Sequence, residues 1–222
     1  MIIVHHLTRS RSHRILWLLE ELEIPYTIKT YQRHPKAQTA PPELFKVHPL
    51  GKSPVITDGD HTIAESGAII EYLIDRYGKG RLRPDVGSDQ YLKYQYFMHY
   101  TEGSLMPPLV LSLIFNMIPK QPMPFFIKPV MKEISRNIHK LYINPQIHLN
   151  LKFLESELEK NKWFAGSEFS AADIQISFAI LGALTNLKDN KAYPKLQNFL
   201  KTIQNRPAYK KAIEKGGPVD FE

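Results

Sequence analysis

Hydrophobic and polar positions change their rhythm once along this chain, near residue 84. Before it, short β-branched runs mix with one-sided helical patterns. Met1-Ile2-Ile3-Val4 opens a strand over residues 2–5, and His6 to Ser12 reads as a loop. From about Ser12 to Leu22, Ile15, Leu18, Leu19 and Leu22 recur at helical spacing with Trp17 beside them. Pro25 ends that pattern, and Tyr26 to Tyr31 alternates like a second strand. A right-handed crossover makes these two strands parallel. Lys36 to Val47 is irregular, with Pro41-Pro42 at a helix start. Val55-Ile56-Thr57 and His61-Thr62-Ile63 are two more short strands. Asp58-Gly59-Asp60 between them is a hairpin signal, because glycine tolerates the positive φ of a tight turn. Glu65-Ser66-Gly67 then opens a helix carried by Ala68, Ile69, Tyr72 and Leu73.

Gly78-Lys79-Gly80 and Arg81-Leu82-Arg83-Pro84 form a linker by their glycine, proline and charge. From Ser88 onward every periodic segment is helical. The pattern predicts an α/β domain over residues 1–84 and an all-α domain over 85–222. Gln90 to Ile118 is one long amphipathic helix, expected to kink at Pro107-Pro108. Pro119 to Pro129 connects helices, and residues 130–160 are helical with a bend expected at Pro145. Ser170-Ala171-Ala172-Asp173 fits a capping box ahead of the apolar positions Ile174, Phe178 and Leu181. That gives Asp173 a structural role, since an apolar face offers a catalytic carboxylate no open pocket. Pro194 to Phe199 and Arg206 to Tyr209 are short closing helices.

Composition narrows the classes. The chain has 222 residues, 43% of them hydrophobic, and no cysteine. The missing cysteine excludes disulfides, a CxxC redox pair, thiolate zinc ligation and a cysteine nucleophile. It fits a reducing compartment, and the start at Met1 shows no secretory leader, so a cytoplasmic location is expected. The most apolar run, Leu105 to Ile118, is shorter than the roughly 20 residues of a membrane span, and no integral membrane segment is expected. The nine histidines show no metal-ligand spacing, so no metal is expected. His5 and His6 alternate at a strand end, where packing or hydrogen bonding suits them. The formal charge of +7 fits a solvated basic surface, weak membrane-surface attraction, or a field that draws anionic substrates. No nucleic-acid motif accompanies it, and no nucleic-acid partner is expected.

Two joins suit a small peptide. A cis bond at Pro54 would turn the backbone of Val55 outward to pair with an extended ligand, whereas a trans Pro54 simply opens a strand. A helix start at Ser66 offers unpaired N–H groups and partial positive charge to a carboxylate, with Glu65 placed for an amino group. The bland alternative is that Glu65 and Ser66 only cap the helix, as Ser10 or Ser12 would cap the earlier one.

Ser53-Pro54-Val55-Ile56, a hairpin, and Ala64-Glu65-Ser66-Gly67-Ala68-Ile69-Ile70-Glu71-Tyr72-Leu73 resemble the glutathione-binding half of cytosolic glutathione S-transferases. The order β-α-β, link, β-β-α is that of a thioredoxin-like domain, which is how this family begins. Ser10 to Leu22, Val47 to Pro54 and Tyr100 to Pro108 resemble a fungal and bacterial serine-type branch, and the resemblance covers nearly the whole chain. It implies Ser10 as the catalytic hydroxyl, four residues before Arg14, with Ser12 as local competitor. It implies a glutathione site of Lys52, Ser53, Pro54, Val55, Glu65 and Ser66, in which Lys52 meets the glycine carboxylate or is a plain solvent lysine. The first helix of the second domain then faces the cleft. His99, Glu102 and Met106 would line a second-substrate pocket, with Glu102 also within reach of glutathione's amino group, and Tyr100, Leu109 and Phe115 lie alongside. Core packing explains Met106, Leu109 and Phe115 equally well.

The implied chemistry is conjugation of a stabilised glutathione thiolate to an apolar electrophile, in a homodimer and without metal or redox cofactor. Glutathione-dependent peroxide reduction or isomerisation on the same fold, or a binding module without catalysis, are the alternatives.

Overall fold

The computed structural model describes residues 1–34, 39–187 and 190–219. Part of the irregular stretch expected from Lys36 lies outside them. The first half is a four-stranded sheet in the order β2-β1-β3-β4. Its strands are β1 Ile2–Leu7, β2 Tyr26–Tyr31, β3 Val55–Asp58 and β4 His61–Ala64. β1 runs parallel to β2 and antiparallel to β3, and β3 is antiparallel to β4. The β3–β4 turn places Gly59 at φ +58, the backbone region expected from its hairpin signal.

β1 is two residues longer than the strand expected over residues 2–5. Parallel pairing with β2 continues to Leu7 opposite Tyr31 and takes His6 and Leu7 into the strand. Side-chain alternation then sends Ile2, Val4 and His6 to one face and Ile3, His5 and Leu7 to the other. Helices α1, His13–Glu21, and α2, Ser66–Tyr77, pack against the Ile2–Val4 face. On the opposite face Leu7 and Tyr31 bury Leu44 from the short 3-10 turn Pro42–Lys46. His5 donates to or accepts from Tyr31 Oη through Nδ1 at 2.9 Å on that side.

Seven α-helices follow among the described residues. They are α3 Asp89–Tyr100, α4 Met106–Met117, α5 Lys128–Ile138, α6 Asn144–Lys160, α7 Ala171–Thr185, α8 Pro194–Gln204 and α9 Pro207–Gly216. A distorted turn accompanies each of the two proline sites where a bend is expected. A π-helical turn occupies Thr101–Leu105, just ahead of Pro107-Pro108, and a second occupies His139–Ile143, just ahead of Pro145. A proline ring crowds the carbonyl four residues earlier and offers no N–H to it, so the preceding turn widens. The run Asp89–Lys120 is therefore continuous, and by length and composition alone it is apolar enough to cross a membrane. The stretch from Asp89 to Met106 is built into the protein core through Tyr94, Phe97, Met98, Tyr100, Leu105 and Met106, and it carries Lys93 and Glu102.

Helix α7 starts where the capping box places it. Asp173, fully buried, accepts from Ser170 N–H at 2.9 Å, Ser170 Oγ at 3.1 Å and Phe164 N–H at 3.0 Å. Burial raises its pKa to about 6 against the pull of those hydrogen bonds. Asp173→Ala would orphan two buried backbone donors. The expected loss is about 2–4 kcal/mol in urea unfolding, and a loss below about 1 kcal/mol would contradict this role.

The two halves meet through α1, which contacts α7 and α9 as well as α2. Ile15, Leu16, Trp17, Leu18 and Leu19 are all fully buried, so this helix is apolar around most of its girth because both domains cover it.

Candidate active site

Four chain segments converge at the C-terminal end of β1: the loop into α1, the entry to β3, the start of α2 and the π-helical turn. Ser12 Oγ lies 3.3 Å from Leu7 C=O, while Leu7 N–H donates to Ser53 Oγ at 3.3 Å. Ser53 Oγ donates to His5 C=O at 3.0 Å. The serines of the first loop and of the β3 entry are thus tied to the same strand end.

Ser10 is the outer member of a hydrogen-bonded series. Its Oγ accepts from Ser12 N–H at 3.2 Å and lies 2.7 Å from Ser12 Oγ. Ser12 Oγ lies 2.8 Å from His6 Nδ1, and His6 Nε2 lies 2.8 Å from Gly216 C=O. Ser12 has no exposed surface and Ser10 keeps 6%. Ser12 is walled in by its partners, so of the two serines only Ser10 keeps any contact with solvent. Neither side chain caps α1 by bonding its second or third N–H; Ser10 instead makes the tight turn just before it.

The Ser53–Pro54 bond is cis. Val55 does not carry the free backbone edge expected of it. It is paired on both sides, with His5 on β1 and Ala64 on β4, so its N–H and C=O are taken up within the sheet. Two residues earlier, Ser53 lies outside the ladder, and among the described residues its backbone N–H and C=O have no backbone partner. The open edge therefore belongs to Ser53.

Glu65 turns the chain from β4 into α2 at φ +70, a conformation that costs a non-glycine residue about 1–3 kcal/mol and that recurs at functional sites. Its side chain is exposed. Ser66, the first residue of α2, is buried, and its Oγ accepts from Arg14 Nη2 at 3.1 Å. The same Nη2 donates to Glu102 Oε1 at 2.8 Å, and Arg11 Nη1 lies 3.2 Å from Glu102 Oε2. Arg14 Nη1 donates to Gln175 C=O at 2.6 Å and Gln175 Oε1 at 3.0 Å. Burial lowers the Arg14 pKa and Glu102 opposes that shift. A guanidinium keeps its charge in either case. One buried cation thus joins the start of α2 to both α7 and the π-helical turn.

The geometry sorts the remaining candidates. Glu102 comes within one guanidinium of Ser66. Lys52 is exposed beside Ser53, and His99 is exposed on α3. Met106 is buried in the core, which is the packing alternative for that residue. Among the described residues no group of three or more His, Asp or Glu side chains is arranged to hold a metal. Arg11, Gln175 and His6 belong to the constellation although the sequence did not single them out as site residues. The available signals were a charged residue, Arg14, beside the run Ile15-Leu16-Trp17-Leu18-Leu19, and the alternation that turns His6 toward α1.

A thioredoxin-like sheet followed by a helical domain, joined through the first helix, defines the class. Residues 1–75 match the family model for the glutathione S-transferase N-terminal domain, and residues 121–207 match that for its C-terminal domain. Glutathione S-transferase 3 of Schizosaccharomyces pombe is 38% identical over 97% of this chain and 88% of its own length. A disulfide-bond oxidoreductase of Escherichia coli is 27% identical over 97% of this chain and 95% of its own. The crystal structure of a glutathione S-transferase from Actinobacillus pleuropneumoniae superposes with a TM-score of 0.81 at 34% identity, covering 99% of this chain and 95% of that one. The chain belongs to the glutathione S-transferase family.

Proposed function

We propose that this protein binds glutathione where these four segments converge and transfers its sulfur, as a thiolate, to apolar electrophiles. The observation that carries the reading is one juxtaposition: an unpaired Ser53 backbone edge, a helix start at Ser66 and the Ser10 hydroxyl all lie around one strand end. An extended backbone suits Ser53. The carboxylate of the γ-glutamyl end suits the Ser66 N–H, the partial positive charge of α2 and the Ser66 hydroxyl, whose oxygen accepts from Arg14 and whose hydrogen is left to donate, and its amino group suits Glu65, with Glu102 as second candidate. Lys52, exposed beside Ser53, suits the glycine carboxylate. A free thiol titrates near ~8.5, and lowering that by ~2 units favours the thiolate by roughly 2.7 kcal/mol. Ser10 and the N-terminal end of α1 supply that stabilisation through hydrogen bonding and the helix dipole. The serine-type assignment, the domain boundary near residue 84, a homodimer and a cytoplasmic location complete the proposal. They rest on the family resemblance and on the change of pattern near residue 84. No metal or redox cofactor enters it; glutathione is a co-substrate.

Retention on immobilised glutathione followed by turnover of an electrophile panel tests the reading. Glu65→Ala and Ser66→Ala are each expected to weaken glutathione binding by ~1–3 kcal/mol in calorimetry. Unchanged affinity in both variants would remove the site. A second reading is favoured by the oxidoreductase relative: glutathione-dependent reduction of a disulfide or peroxide at the same thiolate. Turnover of such substrates with no conjugate formed would select it, and retention without any turnover would select a binding module.

A further inference from the structure

Resting on the glutathione reading above, we propose that His6 is a positioning residue that sets the direction of the hydrogen-bond series ending at Ser10 and receives the proton released by the bound thiol. The polarity follows from one fixed point. Gly216 C=O can only accept, so His6 Nε2, 2.8 Å away, carries hydrogen. With a neutral ring, Nδ1 is a bare acceptor. Ser12 Oγ at 2.8 Å must then donate to it, because two lone pairs would otherwise face each other. Ser12 has one hydrogen, and His6 Nδ1 at 2.8 Å takes it ahead of Leu7 C=O at 3.3 Å, so across the 2.7 Å gap it is Ser10 that donates to Ser12. Ser10 Oγ meanwhile accepts from Ser12 N–H. In this state the Ser10 hydrogen points inward, and the hydroxyl offers a ligand only a lone pair.

A lone pair receives a thiol proton and cannot stabilise a thiolate. Both needs are met if the series reverses. The S–H bond breaks and a proton joins Ser10 Oγ. The former Ser10 proton passes to Ser12 Oγ, and the Ser12 proton passes to His6 Nδ1. The sulfur keeps its electron pair, so neutral thiol plus neutral imidazole become thiolate plus imidazolium, with no proton gained or lost. Each group stays hydrogen-bonded. Nδ1–H donates to Ser12, Ser12 donates to Ser10, and Ser10 now donates outward to the sulfur.

The surroundings suit both ring states. Nε2 faces Gly216, the last residue of α9, where the negative end of the helix dipole favours a cation. His6 is almost wholly buried, and burial lowers its pKa, with the Gly216 hydrogen bond working the other way. The ring is therefore neutral until a negative sulfur is placed at the end of the series. His13 on α1 is the titratable neighbour, and burial together with His6 pushes it down to about 4, so it adds no opposing charge near neutral pH. Ser53, just ahead of β3, is uncharged. Arg14 on α1 is a fixed cation whose charge is met by Glu102. A Cβ at Gly216 would lie 2.4 Å from Leu16 Cδ1 and 3.3 Å from His6 Cε1, so a side chain there would crowd the ring.

The unmodified protein tests this directly. With nitrogen-15-labelled histidine, the His6 ring is expected to give the neutral Nε2–H pattern in free protein near neutral pH. Saturation with glutathione should convert it to the imidazolium pattern. S-methylglutathione, which has no thiol proton, should leave it neutral. Through-bond correlations assign the signal, so assignment needs no variant. Glutathione that binds while the ring stays neutral would overturn the relay and leave the proposed function standing. Absence of saturable glutathione binding would overturn both. In addition, His6→Asn retains an acceptor for Ser12 that cannot be protonated. It should leave glutathione affinity at low pH unchanged, lower kcat/KM about tenfold or more, and shift the pH–rate profile upward. A parallel fall in affinity and rate with an unchanged profile would make His6 merely structural.

Discussion

Arg14→Met is expected to lower stability by about 3–5 kcal/mol, more than any other single substitution in this site. The reason is the number of groups that the guanidinium satisfies at once. Its two terminal nitrogens serve Gln175 C=O and Oε1, Ser66 Oγ and Glu102 Oε1. Methionine fills similar volume but returns no donor, so buried acceptors on α7 and at the start of α2 are left unpaired. The salt bridge itself is a minor part, because Glu102 is about a third exposed and keeps Arg11 as partner. Glu102→Gln should accordingly cost much less. Urea unfolding checks both. A loss under about 1 kcal/mol for Arg14→Met would show that the two domains are not joined energetically where the geometry joins them.

Ser10→Ala should lower kcat/KM for conjugation by about 10²-fold, the scale of one lost donor to a developing or standing anion. It should also raise the apparent pKa of bound glutathione toward the free value. Affinity at low pH, where the thiol is neutral, should change little. Ser12→Ala separates the two serines. Ser12 Oγ touches no solvent, so its removal acts on the thiol only through Ser10 and should move the titration less. If Ser12→Ala moved it more, the inner hydroxyl would be the catalytic donor. If neither variant moved it, backbone amides at the start of α1 would hold the thiolate.

The parts of this molecule that were legible from sequence are those whose cause is local. Gly59 between two β-branched runs specifies the hairpin, and Ser170 and Asp173 specify the start of α7. Pairing across the chain was not legible. The extra residues of β1 exist because Tyr31 lies opposite Leu7, and that contact turned His6 from a loop residue into a buried strand residue. The open backbone edge falls at Ser53 and not at Val55 because β1 and β4 both reach Val55. Periodicity identifies the strand but not how far its neighbours extend. The partners of Arg14 come from three separate elements, and nothing in its own segment names them. The π-helical turns show the same limit on a smaller scale: the prolines are visible, while their effect lands on the turn before them.

Thiolate formation at the Ser10 end of this site is the central claim, and the protein's composition makes it directly measurable. The chain has no cysteine, so every thiolate in a mixture with glutathione belongs to the ligand. Its ultraviolet absorbance can be titrated against pH after subtracting tyrosine ionisation in ligand-free protein. An apparent pKa for bound glutathione clearly below ~8.5 is the predicted result, and a bound thiol that titrates at or above the free value would contradict it.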